Sequence, residues 1–431
     1  MVKTFTILLC LIAFNVLLLG CREKDFERNS DGSISTKKYL WGAPVNSGSY
    51  MATGLRTSVT YEGDILAPYA TGIQYLTSYT DRGGIVRLDG ETGKEKWRWA
   101  GYMFWRELFD INYVYLRNNY LVIPSGPRTH CVDMNTGKTV WQKWKQDTVY
   151  TNVRISGIGD SYFYAGRREY EDSSGHMALY KGNVLRPDPE ELVVNPQLPK
   201  EFFGRTPIPS GAAVTKPVVI KGDTMLIVDY QRPTAQAAYN YIRSVYGLYN
   251  LSKKIWVYKD IPLIEPHPGS VVDHMPVIYE NKVYHAVGRY ITCHNLLTGE
   301  SVWDRPFAQD FLSSGFIVAE GLLVANCEDT YIYGHNADTG AEVWREKSSG
   351  TSTKLLYQDG YVYYAGGGDG LLHAVEVKTG KTEWKLRSPD LAKNSGAYFW
   401  GMVSALPAKN GKRGKIFAST GLHIYAFEAI R

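Results

Sequence analysis

Cysteine is scarce in this sequence: five residues in 431, no two of them adjacent. Paired, dense cysteines are therefore absent, and with them the disulfide framework of a small secreted scaffold. Charge is also thin, at 21% of residues with a net of +5 and no basic block, which gives nucleic-acid binding no support. No segment keeps a 3.6-residue apolar period for long, so long amphipathic helices are not expected. The one long apolar run, Phe5 to Leu19, is too short to span a membrane comfortably. Present instead are 42 glycines, 32 tyrosines and 44% hydrophobic residues, a composition suited to many short strands and turns around a large core.

A short motif recurs along the chain. Thr92-Gly93 precedes Trp97, Thr136-Gly137 precedes Trp141, Thr298-Gly299 precedes Trp303, Thr339-Gly340 precedes Trp344, and Thr379-Gly380 precedes Trp384. Adjacent copies are 44, 41 and 40 residues apart, and a weaker copy at Trp256 lies 47 before Trp303, the period of a four-stranded propeller blade. Eight residues before each strong Trp stands Asp89, Asp133, Asn295, Asn336 or Glu376. A short side chain there can bond the backbone of the tight turn that follows, and Gly93, Gly137, Gly299, Gly340 and Gly380 supply the positive φ such a turn needs. One indole per repeat at a fixed place is explained by packing against the next blade, because a single blade cannot bury its own faces.

The stretch Leu88-Asp89-Gly90-Glu91-Thr92-Gly93-Lys94-Glu95-Lys96-Trp97 resembles the repeat of PQQ-like β-propellers, and the likeness covers most of residues 40 to 431, weakening between Trp141 and Trp256. The resemblance implies an all-β propeller. Similar repeats build quinoprotein dehydrogenases and also the noncatalytic BamB-like outer-membrane assembly lipoproteins.

Ring closure follows from the two ends. Residues 414–419 and 422–427 read as middle strands of a blade whose outer strand is missing, and Trp41 with its extended neighbours can supply it. Outer strands at Trp41, Trp97, Trp141, near 180 to 195, Trp256, Trp303, Trp344 and Trp384 give eight blades, with seven as the alternative. Mean spacing favours eight, at about 49 residues per blade against about 56.

Lys3 and the apolar run read as a leader, residues 1–20, ending Leu18-Leu19-Gly20-Cys21, which resembles the bacterial lipobox. Acylation of Cys21 would give a stable anchor. Residues 21–38 then form a polar tether before the propeller at 39–431. By resemblance to envelope sorting, Arg22 after the lipid cysteine implies the outer membrane, on its periplasmic face or at the cell surface. Without Cys10 and Cys21, Cys131, Cys293 and Cys327 remain. Cys131 and Cys293 share one strand position in different blades, so buried free thiols are expected, with a Cys293–Cys327 bridge as the alternative.

Function is expected where the repeat is broken, since loops on a rigid frame carry specificity. Irregular insertions are read around 167–209, rich in proline, and around 231–245, where Arg232, Tyr239, Tyr241 and Arg243 combine residue types favoured in interface anchors. Chemistry-bearing clusters are weak. His267, Asp273 and His274 match no metal-site spacing, and no metal is expected; Gly366 to Gly370 precedes no helix and reads as a hairpin turn. The dehydrogenases that the resemblance brings in carry a catalytic Asp with Ca²⁺ ligands and, in some members, a vicinal disulfide, for which this chain has no adjacent cysteines. The expectation is therefore a membrane-anchored, noncatalytic, monomeric scaffold for an envelope protein, without cofactor. The alternatives are a carbohydrate or other ligand-binding lipoprotein and, third, a PQQ-dependent dehydrogenase.

Overall fold

The computed structural model describes residues 38–45, 59–71, 82–101, 114–125, 128–144, 155–169, 175–194, 212–233, 241–264, 267–268, 274–311, 314–392, 397–399, 403–420 and 422–431. They form eight antiparallel sheets, each with a path of four strands, and among them the single helical element is a 3-10 turn at Pro389–Ala392. Blades 1 to 7 run Val59–Trp99, Tyr115–Trp144, Ile155–Val194, Ala212–Pro262, Val277–Pro306, Phe316–Lys347 and Leu356–Leu386 in chain order. Blade 8 takes three strands from Ser404–Glu428 and its outer strand from Trp41–Pro44, with Trp41 opposite Ala426 and Pro44 opposite His423. The ring is thus closed by the N-terminal strand, as the unpaired ends of the sequence require.

The middle strands have buried interiors because neighbouring blades cover both faces. Leu322–Asn326 and Tyr331–Asn336 have buried interiors, whereas the outer strand Glu342–Lys347 is largely exposed. Core clusters bridge successive blades: Leu66, Ile85 and Trp99 of blade 1 pack with Leu121, Ile123 and Val132 of blade 2. Each blade therefore completes the core of the next, which is why a period of about 40 residues suffices for a stable repeat only in an array.

The middle of the chain is more regular than its sequence suggests. Residues 175–194, read as part of a proline-rich insertion, form two strands of blade 3, Gly175–Asn183 and Arg186–Val194. Pro187 and Pro189 are tolerated because Arg186–Val194 is an outer edge strand, where a missing N–H breaks no ladder, and the pairing takes up the difference as register shifts. In blade 4 the break around 231–245 is a lengthened hairpin. Its strands, Asp223–Pro233 and Tyr241–Asn250, remain paired out to Pro233 opposite Ile242, and Tyr241 and Ile242 also pair with Pro268 and His267.

Candidate functional site

The repeated motif builds a latch between blades, and its parts can be assembled from the turn upward. Asp89 Oδ1 accepts the backbone N–H groups of Glu91 and Thr92 at 3.0 and 2.9 Å, and the Gly93 N–H closes the turn on Asp89 O at 2.8 Å. The glycine has φ near 70° in every Thr-Gly copy, from 67° at Gly137 to 76° at Gly299. That conformation is unfavourable for residues with a Cβ. It also leaves a bare surface on which the indole of the preceding blade lies: a Cβ on Gly340 would stand 2.8 Å from Trp303 Cδ2, and one on Gly137 2.7 Å from Trp97 Cδ2. The indole N–H then donates to the carbonyl just after the turn-capping residue. Trp41 bonds Gly90 O at 3.2 Å, Trp97 bonds Met134 O at 2.7 Å, and Trp141 bonds Val184 O at 2.8 Å. Trp303 bonds Ala337 O at 3.0 Å and Trp344 bonds Val377 O at 2.9 Å. Trp384, fully buried, packs with Tyr363 and with Ile416 and Phe399 at the border of blade 8.

Blades 3 and 4 depart from this pattern, and the departure corrects the reading of Trp256. The residue eight after the capping Asn250 is Tyr258, and it is Tyr258 that docks: its hydroxyl donates to Leu296 O at 2.9 Å and its ring lies on Gly299. Lys253 N–H bonds Asn250 Oδ1 at 2.9 Å, so the capped turn persists with Lys254, at φ 57°, where glycine stands elsewhere. Trp256 points the other way. It packs on Tyr249 and Tyr230 in the core cluster that joins blade 4 to Phe163, Leu179 and Val194 of blade 3. In blade 3 the residue eight after Asn183 is Glu191, which pairs with Lys181 across the strand as Trp141 pairs with Cys131. Glu191 Oε1 meets Lys254 Nζ at 3.0 Å. Tyrosine at a latch position keeps aromatic packing and a donor, which is why the substitution works and why a search for tryptophan misses it.

Of the four residues read as partner anchors, Arg232 and Arg243 are opposite each other in backbone register in the blade 4 hairpin, Tyr241 opens the second strand in register with Pro268, and Tyr239 lies outside the described residues. Arg243 is half-buried. Cys21, read as the lipid-bearing residue, also lies outside the described residues, as does Asp273. His274 is buried, with Nδ1 3.0 Å from where a Cβ of Gly315 would be, and among the described residues no group of three or more His, Cys, Asp or Glu side chains is placed to hold a metal.

Other chemistry-bearing groups are held in the frame. Burial pushes the Cys131 and Cys293 thiols up to about 12 and Cys327 to about 11, and all three are free and buried, which settles the thiol reading over a Cys293–Cys327 bridge. Thiols held so far from ionisation are poor nucleophiles. His294 is pushed down to about 4, chiefly by burial and then by neighbouring His285, so it is neutral near pH 7. His285 Nε2 meets Asp229 at 3.0 Å with both side chains fully buried between blades 4 and 5. Arg87, with Nε on Asp64, donates through Nη1 to Met134 O at 2.7 Å, so one carbonyl of blade 2 receives both Arg87 and Trp97 of blade 1. The glycine run does form a turn, closed by Gly370 N–H on Gly366 O at 2.8 Å, and Asp369 caps it through Leu371 N–H at 3.0 Å while holding His373.

Residues 256–429 match the family described as outer membrane protein assembly factor BamB. No curated protein matches the sequence. Among solved structures, a europium-containing methanol dehydrogenase is similar with a TM-score of 0.61 at 10% identity, over 88% of this chain and 84% of that one. The quinohemoprotein alcohol dehydrogenase from Comamonas testosteroni follows with 0.59 at 10%, over 91% and 76%. BamB from Moraxella catarrhalis gives 0.48 at 12%, over 78% and 98%. At such identities the likeness is one of fold.

Proposed function

We propose that this chain, an eight-bladed propeller of PQQ-like repeats whose blades from residue 256 onward match the BamB family, is a noncatalytic scaffold that binds a protein partner in the cell envelope. What supports the reading is where the motif residues go. The Asp, Asn and Glu of the repeats cap turns, Trp41, Trp97, Trp141, Tyr258, Trp303 and Trp344 latch blades, and Cys131, Cys293 and Cys327 are buried, so the repeat contributes frame and leaves recognition to the irregular hairpin of blade 4. Acylation of Cys21, in its lipobox-like setting, would hold that frame at a membrane, on the outer-membrane side by resemblance.

The dehydrogenase reading is favoured by one observation, the fold likeness to a methanol dehydrogenase and a quinohemoprotein alcohol dehydrogenase, and likeness of fold does not carry chemistry. Titration of the purified protein with PQQ and Ca²⁺, followed by dye reduction with alcohols and aldose sugars, separates the two. The scaffold reading expects no saturable binding and no turnover. Micromolar PQQ binding accompanied by substrate-dependent dye reduction would replace it with the enzyme.

A further inference from the structure

Around the ring, the latch position of each outer strand holds an aromatic side chain, docked on the next blade's turn at six seams and packed into the border of blade 8 as Trp384 at a seventh, with one exception. At the blade 3–4 seam the aromatic is replaced by Glu191 and the glycine by Lys254, and the two side chains meet as an ion pair at 3.0 Å. The replacement is paired. Each position has changed to a charged residue of opposite sign, and Lys254 keeps the left-handed backbone of the glycine it replaces, at φ 57°. Lys181 adds a second cation 3.7 Å from Glu191 Oε2. Glu191 is held below the usual carboxylate range, first by the hydrogen bond from Lys254.

The pair is also open to water: the Glu191 side chain is 45% exposed and that of Lys254 is 72%. Trp303, at the equivalent position of blade 5, is 7% exposed. Exposed ion pairs are weak and screened by salt, whereas a buried indole on a glycine turn is insensitive to ions. Deeper in the same seam, Phe163, Leu179 and Val194 of blade 3 pack with Leu226, Tyr230 and Tyr249 of blade 4, and Trp256 joins them from the blade 4 side. The inner seam is therefore apolar and its rim alone is ionic.

We infer that the blade 3–4 rim is an ionic clasp built into the ring, which parts locally as ionic strength rises while the inner seam and the aromatic latches stay closed. The strands released are Arg186–Val194 and the start of Ile255–Pro262, both outer strands. Parting frees no ligand and breaks no covalent bond; it raises the local opening of two edge strands at the Asn250 end of blade 4, opposite the Pro233–Ile242 end of the hairpin on which the proposed scaffold function rests. The inference itself does not depend on that function.

Hydrogen exchange of the whole protein at about 0.02 and 1 M NaCl tests it, since screening shortens from tens of ångströms to about 3 Å over such a range. Amides of Glu191 to Val194 should exchange up to roughly fivefold faster at high salt, the upper end of what an exposed pair contributes. Amides of Lys138–Trp144 and Glu342–Lys347, beside indole latches, should keep their rates. Glu191→Gln, nearly isosteric, should give the fast rate at both salts. Lys254→Gly should do the same even though it relieves the backbone, which distinguishes loss of the clasp from loss of stability. Salt-independent exchange at Glu191 to Val194 in the native protein, or an unchanged response in Glu191→Gln, would overturn the inference, as would a uniform salt response across all eight blades.

Discussion

Replacing Trp303 by alanine tests the latch where its geometry is most complete. The indole is 7% exposed, lies on Gly340, packs on Tyr284 and donates to Ala337 O. Removing a buried tryptophan costs about 3–5 kcal/mol in apolar transfer and cavity. A further loss of about 1–3 kcal/mol applies when a buried acceptor is orphaned, but Ala337 O also receives the Tyr284 hydroxyl at 3.1 Å, so that contribution is mostly spared. The expected loss is therefore about 3–5 kcal/mol. A thermal melt is a blunt reader of it: with an unfolding entropy near 2.1 cal/mol/K per residue, a ring of this size would shift by only about 1–1.5 °C per kcal/mol if it unfolds as one unit. Denaturant midpoints combined with exchange at the blade 5–6 seam resolve the change better. Trp303→Phe should recover part of the loss, and Gly340→Ala, whose Cβ meets the ring and whose φ is 68°, should reproduce most of it. An unchanged midpoint in Trp303→Ala, with a ligand lost in its place, would refute the latch and make the indoles a binding array.

Two more outcomes follow from named residues. Tyr258→Phe should weaken the blade 4–5 seam by about 1 kcal/mol through the lost bond to Leu296 O, whereas Trp256→Ala should loosen the blade 3–4 core; exchange maps that place both effects at one seam would contradict the register drawn for blade 4. Cys21→Ala should shift the protein from the membrane fraction to soluble or unprocessed forms, and recovery with membranes equal to the native protein would reject the lipid anchor.

The fold was legible because its signals are local and repeated. A capped Thr-Gly turn followed by an indole states both the turn and the next-blade contact, and Trp41 without a turn of its own, set against a final blade without an outer strand, states ring closure. Blade 4 was misread for a physical reason: Trp256 supplied the expected residue type two positions early, while Tyr258 performs the docking and Lys254 adopts the backbone of glycine without its identity. Glu191 carried no signal by itself. Its role appears only when the strand register sets it opposite Lys181 and beside Lys254 of the next blade. The pairing of Arg232 with Arg243 was likewise hidden, because hairpin register depends on the turn between them and not on the arginines.

The scaffold claim stands or falls on the blade 4 hairpin. The decisive measurement is co-purification from detergent-solubilised membranes, comparing the native protein with a variant in which Pro233 to Tyr241 is replaced by a short Gly/Ser turn, both checked for equal folding by denaturant melts. Loop shortening of this kind costs the ring little. The account predicts that one envelope protein is recovered in constant proportion with the native chain and is lost with the variant, and that Arg232→Ala and Arg243→Ala each weaken its capture by more than about 1 kcal/mol while Asn135→Ala does not. Undiminished capture by the folded deletion variant would contradict it.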